Sequence, residues 1–422
     1  MSIIFNVIYI ILAVFYVPML ILKGKHKAGF LQRLGIYSLE LKQRIKKEKF
    51  SIWLHAVSVG EIKAAVPLIE KLRNQNHKLK LIISTITPTG NKVAQSIATK
   101  EDIVIYFPFD LSWIISSVFS LFSPKLLLIM ETELWPNALR LAAKKKIKTV
   151  IANGRISDKA FPRYKMAGFL FKPIIKEIDL LCMQTDIDIK RIIELGANTQ
   201  SAHMVGNIKF DQIAKIDKYN LPDIGLDKKD KLILAGSTHD NEEEQLIKVF
   251  KKLKEQHDNI RLFIAPRHVH RVNKIIDIVK AEGLSAILIS ELSKNKSIGT
   301  KDKVFILDVM GVLTDYYQLA DIVFVGGSLI AHGGQNPIEP ASLGNPVIFG
   351  KYMFNFAGIV KLFLDNKAAI CINNSEELII RINELLIDKD KGHDLANNAI
   401  RVIKQNQGSV QRVCSLINSL ES

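Results

Sequence analysis

Beyond residue 50 the chain alternates short apolar runs with stretches of helical period. Ser51–Val57, Leu79–Ser84, Ile103–Phe107, Lys125–Met130 and Thr149–Ala152 are rich in Ile, Leu and Val and read as buried strands. Between them, Ile62–Arg73 and Leu111–Phe122 repeat their apolar positions at helical spacing. Such βαβ alternation predicts a parallel sheet covered on both faces. The pattern weakens across Asn207–Asp230, where Asp217, Lys218, Asn220 and Pro222 collect. It restarts with Leu232–Ala235, Leu262–Ala265, Val304–Leu307, Ile322–Val325 and Val347–Phe349. The fold class expected is therefore α/β, with two Rossmann-like doubly wound domains at 24–212 and 229–404 and a linker at 213–228. Ligands of open α/β sheets sit beyond the carboxyl ends of the strands, so a cleft between the halves is expected. Residues 405–422 read as a helix that packs back on the first half.

The amino terminus is different in kind. Ser2 to Leu22 are 21 consecutive uncharged, mostly apolar positions, long enough to cross a hydrocarbon core of about 30 Å. A cleaved signal peptide needs a basic leading region and a small-residue cleavage site, and the stretch has neither. Pro18 fits a third reading, a buried or interfacial hairpin helix. Residues 1–23 are expected to be a membrane-anchor helix. Lys23, Lys25, Lys27, Arg33, Lys42, Arg44, Lys46, Lys47 and Lys49 follow, opposed by Glu40 and Glu48. By the positive-inside rule this flank, with everything after it, stays cytoplasmic, and its cations suit an anionic membrane surface.

Overall charge points the same way. Against 42 Asp and Glu stand 58 Lys and Arg, a formal net charge of +16, which favours an anionic partner. No RRM, KH or helix-turn-helix signature makes that partner a nucleic acid. Cys182, Cys371 and Cys414 are widely spaced without a CxxC pair, which excludes a disulfide framework or zinc ribbon and suits a reducing compartment. His268 and His270 lack an obvious third partner for a metal. No metal and no cofactor are expected.

The chemistry-bearing residues gather where strands end. His55-Ala56-Val57-Ser58-Val59-Gly60-Glu61 leaves a strand through a small-residue turn, with Gly60 permitting the turn and Glu61 in the first helical turn. An acidic residue there complements the helix dipole without any function. From a strand's carboxyl end, however, it is also placed to take a proton from a substrate hydroxyl. Met130-Glu131-Thr132-Glu133-Leu134-Trp135-Pro136-Asn137 puts two carboxylates after a buried strand; Glu131 is expected half-buried with a partner, and Pro136 at the first helical position. Asn153-Gly154-Arg155-Ile156-Ser157 ends another strand, followed by Lys159, Phe161, Arg163, Tyr164, Lys165 and Lys172. That basic and aromatic cluster suits phosphate and acyl-chain surfaces, or simply a solvated helix face. Gly206-Asn207-Ile208-Lys209-Phe210-Asp211 ends the half with a cation suited to an anionic substrate.

In the second half, Ala235-Gly236-Ser237-Thr238-His239 presents backbone donors and hydroxyls at a helix start. Pro266-Arg267-His268 ends the next strand with a guanidinium. Met310-Gly311-Val312 and Gly326-Gly327-Ser328 follow, then His332-Gly333-Gly334-Gln335-Asn336-Pro337-Ile338-Glu339-Pro340, read as a loop feeding a helix capped by Asn336. Glu339 suits the two hydroxyls of a ribose. Each glycine loop is weak alone; four on successive strand ends of one domain mark a nucleotide half.

HAVSVGE, ETELWPN, NGRIS, GNIKFD, AGSTH, APRH, DVMG and the long run ending GGQNPIEP, in this order, resemble the 3-deoxy-D-manno-octulosonic acid (Kdo) transferases, lipid A-specific GT-B glycosyltransferases. The resemblance implies inverting, metal-independent transfer of Kdo from CMP-Kdo to a hydroxyl of tetraacyl lipid A precursor (lipid IV-A), at the bacterial inner membrane, in lipopolysaccharide biosynthesis. It implies Glu61 as proton acceptor and Glu131 and Lys209 as transition-state stabilisers. It places CMP contacts on Pro266, Arg267, His268, Met310, Gly311, Val312, Asn336, Pro337, Ile338 and Glu339. Two residues depart from the family pattern: Val312 stands where Glu is common, and Gln335 where His is frequent. Other GT-B enzymes, such as UDP-sugar transferases or 2-epimerases, share the architecture, and a non-catalytic membrane-tethered nucleotide-binding protein would share the charge.

Overall fold

The computed structural model describes residues 3–11, 29–212, 221, 223–292 and 303–421. Most of the expected linker, and residues 1–2 and 12–23 of the expected anchor, lie outside these. The chain divides into two compact units, Met1–Asp211 with Asn406–Ser422, and Gln212–Gln405.

Unit 1 holds seven strands: β1 Ile52–His55, β2 Leu81–Thr85, β3 Ile103–Tyr106, β4 Leu126–Met130, β5 Lys148–Gly154, β6 Leu180–Met183 and β7 Ala202–Met204. All pair in parallel, in the order β3-β2-β1-β4-β5-β6-β7. Strands with both faces buried read as unbroken apolar runs, and Leu126–Met130 is buried at every position. One face packs Trp53, Phe119, Phe122 and Ile129. The other packs Leu54, Leu68 and Leu128 with Val410, Val413 and Ile417 of the last helix, Ser409–Glu421. That helix is tied down where it begins: Asp211 accepts the Gly408 and Val410 amides, each at 2.6 Å.

Residues 3–11 are helical, and they are docked on unit 1. Phe5 is buried in its core. Asn6 donates from Nδ2 to Ser112 Oγ at 2.8 Å and accepts at Oδ1 from the Ser112 amide at 3.0 Å. Tyr9 hydrogen-bonds Asp110, a buried carboxyl whose pKa rises to about 7 chiefly through desolvation. The first half of the expected anchor is thus held by specific polar partners on the protein, with Ile3, Ile4, Val7, Ile10 and Ile11 exposed on its other side. Among the described residues no helix is long and apolar enough to cross a membrane.

Unit 2 repeats the plan with β8 Lys231–Thr238, β9 Ile260–Pro266, β10 Ser285–Leu288, β11 Lys303–Ile306, β12 Ile322–Val325, β13 Val347–Gly350 and β14 Ile370–Ile372. They too pair in parallel, in the order β10-β11-β9-β8-β12-β13-β14. Each sheet has one switch point, where the first strand has neighbours running to opposite sides: β1 beside β4, and β8 beside β12. Open α/β sheets bind their ligands beyond the strand ends at such points.

Candidate active site

At the switch point of unit 1 stand Glu61, after β1, and Glu131, after β4. The helix Val59–Gln75 opens with Ser58 as cap, its Oγ accepting from the Glu61 amide. In return Glu61 Oε1 accepts from Ser58 Oγ at 2.9 Å, while Oε2 accepts the Val57 amide at 2.7 Å. This capping box fixes the carboxylate at a helix start. Gly60 corrects the reading of a turn: it is the second residue of this helix, and an added Cβ would meet nothing nearer than Ser58 Oγ at 3.8 Å.

Glu131 leaves β4 in the left-handed region, φ 55°, a conformation that costs about 1–3 kcal/mol in a residue with a Cβ and clusters at functional sites. Asn153, at the end of neighbouring β5, has φ 60°. Its Oδ1 accepts the Ile208 amide at 3.1 Å, which anchors the turn carrying Lys209. Lys209 Nζ lies 3.9 Å from Glu131 Oε1. Glu131 is half-buried as expected, and Pro136 begins its helix. The structure therefore brings Glu61, Glu131 and Lys209 into one electrostatic group.

Burial raises the Glu61 pKa and Glu131 raises it further, against the Val57 amide, Ser58 and Lys209, which lower it. Lys209 is pushed below its ordinary range, chiefly by burial and further by Arg155, while Glu131 and Glu61 oppose the shift. Glu133, given no role from sequence, belongs here too: burial, then Glu61 and Glu131, raise its carboxyl to about 7. A carboxylate base works only when deprotonated, so if Glu61 is the base, activity is expected to be lost as pH falls through its raised pKa. The acid limb therefore lies above the ordinary glutamate value of about 4.3. Because Lys209 lowers that pKa, Lys209→Met is expected to move the limb to higher pH as well as to lower kcat, read from a kcat–pH profile. An unmoved limb would separate Lys209 from Glu61.

The expected nucleotide residues of unit 2 lie on successive strand ends. Pro266 closes β9, with Arg267 half-buried and His268 exposed. Met310, Gly311 and Val312 follow β11; Met310 is 73% exposed, and Gly311 has φ 91° with open space around it. Beyond β12, Asn336 Oδ1 accepts the Ile338 amide at 3.1 Å and its Nδ2 donates to Glu339 Oε1 at 3.2 Å. The helix here is only Ile338–Ser342, with Pro337 rather than Asn336 at its cap position; a helix this short supplies little dipole for an anion.

A second correction concerns the glycine loops. The amides of Gly327, Ser328 and Leu329 donate to the Glu242 carboxylate at 2.6, 2.9 and 3.0 Å, and the His239 amide does so at 2.9 Å. Thr238 Oγ1 is likewise taken by Glu243 at 3.0 Å. The backbone donors that looked ready for a phosphate are filled by the protein's own anion. Gly327, at φ 68°, lets this loop close; a Cβ there would press within 3.2 Å of the His239 ring. Glu242 and Glu243 are fully buried and went unnoticed in the sequence, where the run Glu242-Glu243-Glu244 opening a helix was their signal. Burial raises the Glu242 pKa against four amides that lower it. Arg271 closes the arrangement, with Nη1 at 2.7 Å from Glu243 Oε1. Among the described residues no group of three or more His, Cys, Asp or Glu is placed to hold a metal.

Two doubly wound units, each a seven-stranded parallel sheet, follow the plan of GT-B proteins. A glycosyltransferase from Rickettsia africae shares the fold, with a TM-score of 0.57 at 14% identity over 89% of this chain and 99% of that one. Residues 28–212 match the family model for 3-deoxy-D-manno-octulosonic-acid transferase (kdotransferase), and residues 221–402 that for glycosyl transferases group 1. The 3-deoxy-D-manno-octulosonic acid transferase of Haemophilus influenzae is 34% identical over 374 residues, 87% of this chain and 86% of that protein. A bifunctional glycosyltransferase/methyltransferase of Fusobacterium nucleatum is 37% identical over 363 residues, and the match spans 83% of this chain but 55% of that longer protein. The chain belongs to the Kdo transferase family and is a glycosyltransferase.

Proposed function

We propose that this protein transfers Kdo from CMP-Kdo to a hydroxyl of a tetraacyl lipid A precursor, with inversion, in lipopolysaccharide biosynthesis. The observation that carries the reading is the grouping of Glu61, Glu131 and Lys209 at the switch point of unit 1. The acceptor oxygen attacks the anomeric carbon, the bond from that carbon to the phosphate oxygen breaks, and CMP departs. Glu61 takes the hydroxyl proton; desolvation makes it a stronger base than an exposed glutamate. Lys209, held beside Glu131, offsets negative charge as it develops. One base suffices for inversion, and CMP is already a stable anion, so neither a metal nor a cofactor is assigned a step. Pro266, Arg267, His268, Met310–Val312 and Asn336–Glu339 are assigned to the donor nucleotide, with backbone contacts where Val312 replaces a carboxylate. CMP binding with no UMP binding, by calorimetry, supports this donor. UMP preference returns the protein to the UDP-sugar or 2-epimerase reading.

The same proposal includes attachment to the cytoplasmic face of the inner membrane through the amino-terminal segment and its basic flank. Exposed Met166 and Phe169 beside Arg163 and Lys172, and exposed Trp113 following Ser112, add apolar and cationic surface to the unit that docks residues 3–11. Each cation near an anionic surface is worth about 1 kcal/mol, screened by salt. The protein is expected to pellet with phosphatidylglycerol vesicles at low salt, more than with phosphatidylcholine vesicles. Equal pelleting would remove the electrostatic component.

A further inference from the structure

The amides of His239, Gly327, Ser328 and Leu329 are occupied by Glu242, so an anion at the switch point of unit 2 is met by other groups. Those present are Arg267 and a set of imidazoles. The His239 ring, buried at the end of β8, lies against the exposed His332 ring with centroids 3.8 Å apart and planes at 39°. His268 meets it edge-on at 5.9 Å, and His270 stacks on His268 at 5.5 Å. Gln335 Nε2 lies 3.0 Å from His239 Nε2. An amide donating there fixes His239 as a neutral acceptor; turned about, its oxygen accepts from a protonated ring.

The charged groups facing His239 come from three segments. Glu242 and Glu243 lie on its own side, the first holding the His239 amide and the second paired with Arg271. From the segment after β9 come Arg267, His268 and Arg271, and from the loop after β12 comes His332. Burial first, then these cations and imidazoles, hold His239 at about 4. An anion brought against the stack reverses the balance of charge around it.

We propose that the stacked His239–His332 pair is a proton-accepting receptor for an anionic group of the donor, so that donor binding takes up a proton on this pair. The anion is the nucleotide phosphate or the carboxylate of the sugar. The inference rests on the CMP-Kdo reading of this unit and deepens it. His239 and His332 are binding residues in this scheme, with no part in proton transfer from the acceptor.

Calorimetry of the full chain with CMP, repeated in buffers of different ionisation enthalpy near pH 7.5, counts protons directly. Wild type is expected to take up a measurable fraction of a proton per ligand with CMP if phosphate is the anion, or with CMP-Kdo alone if it is the carboxylate. Cytidine is expected to give none. His239→Asn is expected to abolish the uptake and weaken binding at least tenfold. His332→Asn, on the exposed ring, is expected to reduce it and decides the matter should His239→Asn misfold. No uptake by wild type with either ligand, or undiminished uptake in both variants, overturns the inference while leaving the donor reading intact. Binding of UMP but not CMP overturns the donor reading instead, and the proton count with UMP then decides the inference.

Discussion

Replacing Glu61 by Gln is expected to lower kcat for sugar transfer by roughly 10³-fold, within the 10²–10⁴ range of a positioned general base. Gln keeps the size of the side chain. It retains an oxygen for the Val57 amide, now held at 2.7 Å by Glu61 Oε2. The helix start therefore survives, and donor affinity in unit 2 is expected to stay within twofold. What disappears is the carboxylate proposed as proton acceptor. A variant that forms product at the wild-type rate would reduce Glu61 to the capping role that its hydrogen bonds also fulfil. Comparing kcat with the thermal midpoint separates the two roles, because loss of a cap alone costs about 1 kcal/mol of stability and little chemistry.

Glu242→Ala has the larger structural effect. The substitution strips an acceptor from four amides, those of His239, Gly327 and Ser328, which are buried, and of Leu329. Bonds to a charged acceptor are worth about 1.5–3 kcal/mol each and buried donors left unpaired carry a further penalty, offset in part by the cost of burying the carboxylate itself. We expect a net loss of roughly 3–5 kcal/mol in urea unfolding, with CMP binding lost as the loops after β8 and β12 separate. Glu242→Gln keeps one oxygen and is expected to lose about half as much. A variant that binds CMP with wild-type affinity would show that Glu242 does not hold the nucleotide loops.

The sheets were legible because their central strands are buried on both faces and leave continuous apolar runs; Ile322–Val325 was placed to the residue. Four edge or outer strands escaped notice. Ala202–Met204 and Ile370–Ile372 have three residues each, and Ser285–Leu288 is partly exposed. Little apolar periodicity fits into so few positions. Leu180–Met183, buried and four residues long like Ile322–Val325, has no such excuse. Glu61 and Glu131 stood out because each follows closely on a buried strand, and Lys209 because a cation there suits an anionic substrate; the roles assigned to them come from the family resemblance. Glu133, Glu242 and the stacking of His239 on His332 did not stand out, since their roles depend on which strands become neighbours. Glycine loops were misjudged for the same cause: sequence displays the amides and hides the carboxylate, 85 residues away from Gly327, that takes them. The docking of residues 3–11 was masked by their hydrophobicity, which Asn6 and Tyr9 interrupt only twice.

The most direct test of the central claim is mass spectrometry of the lipid formed when purified protein is given CMP-Kdo and tetraacyl lipid A precursor. Product heavier by whole Kdo residues, with release of CMP and none formed from UDP-N-acetylglucosamine, is the predicted result. Unchanged lipid in the presence of folded protein and intact CMP-Kdo would contradict it.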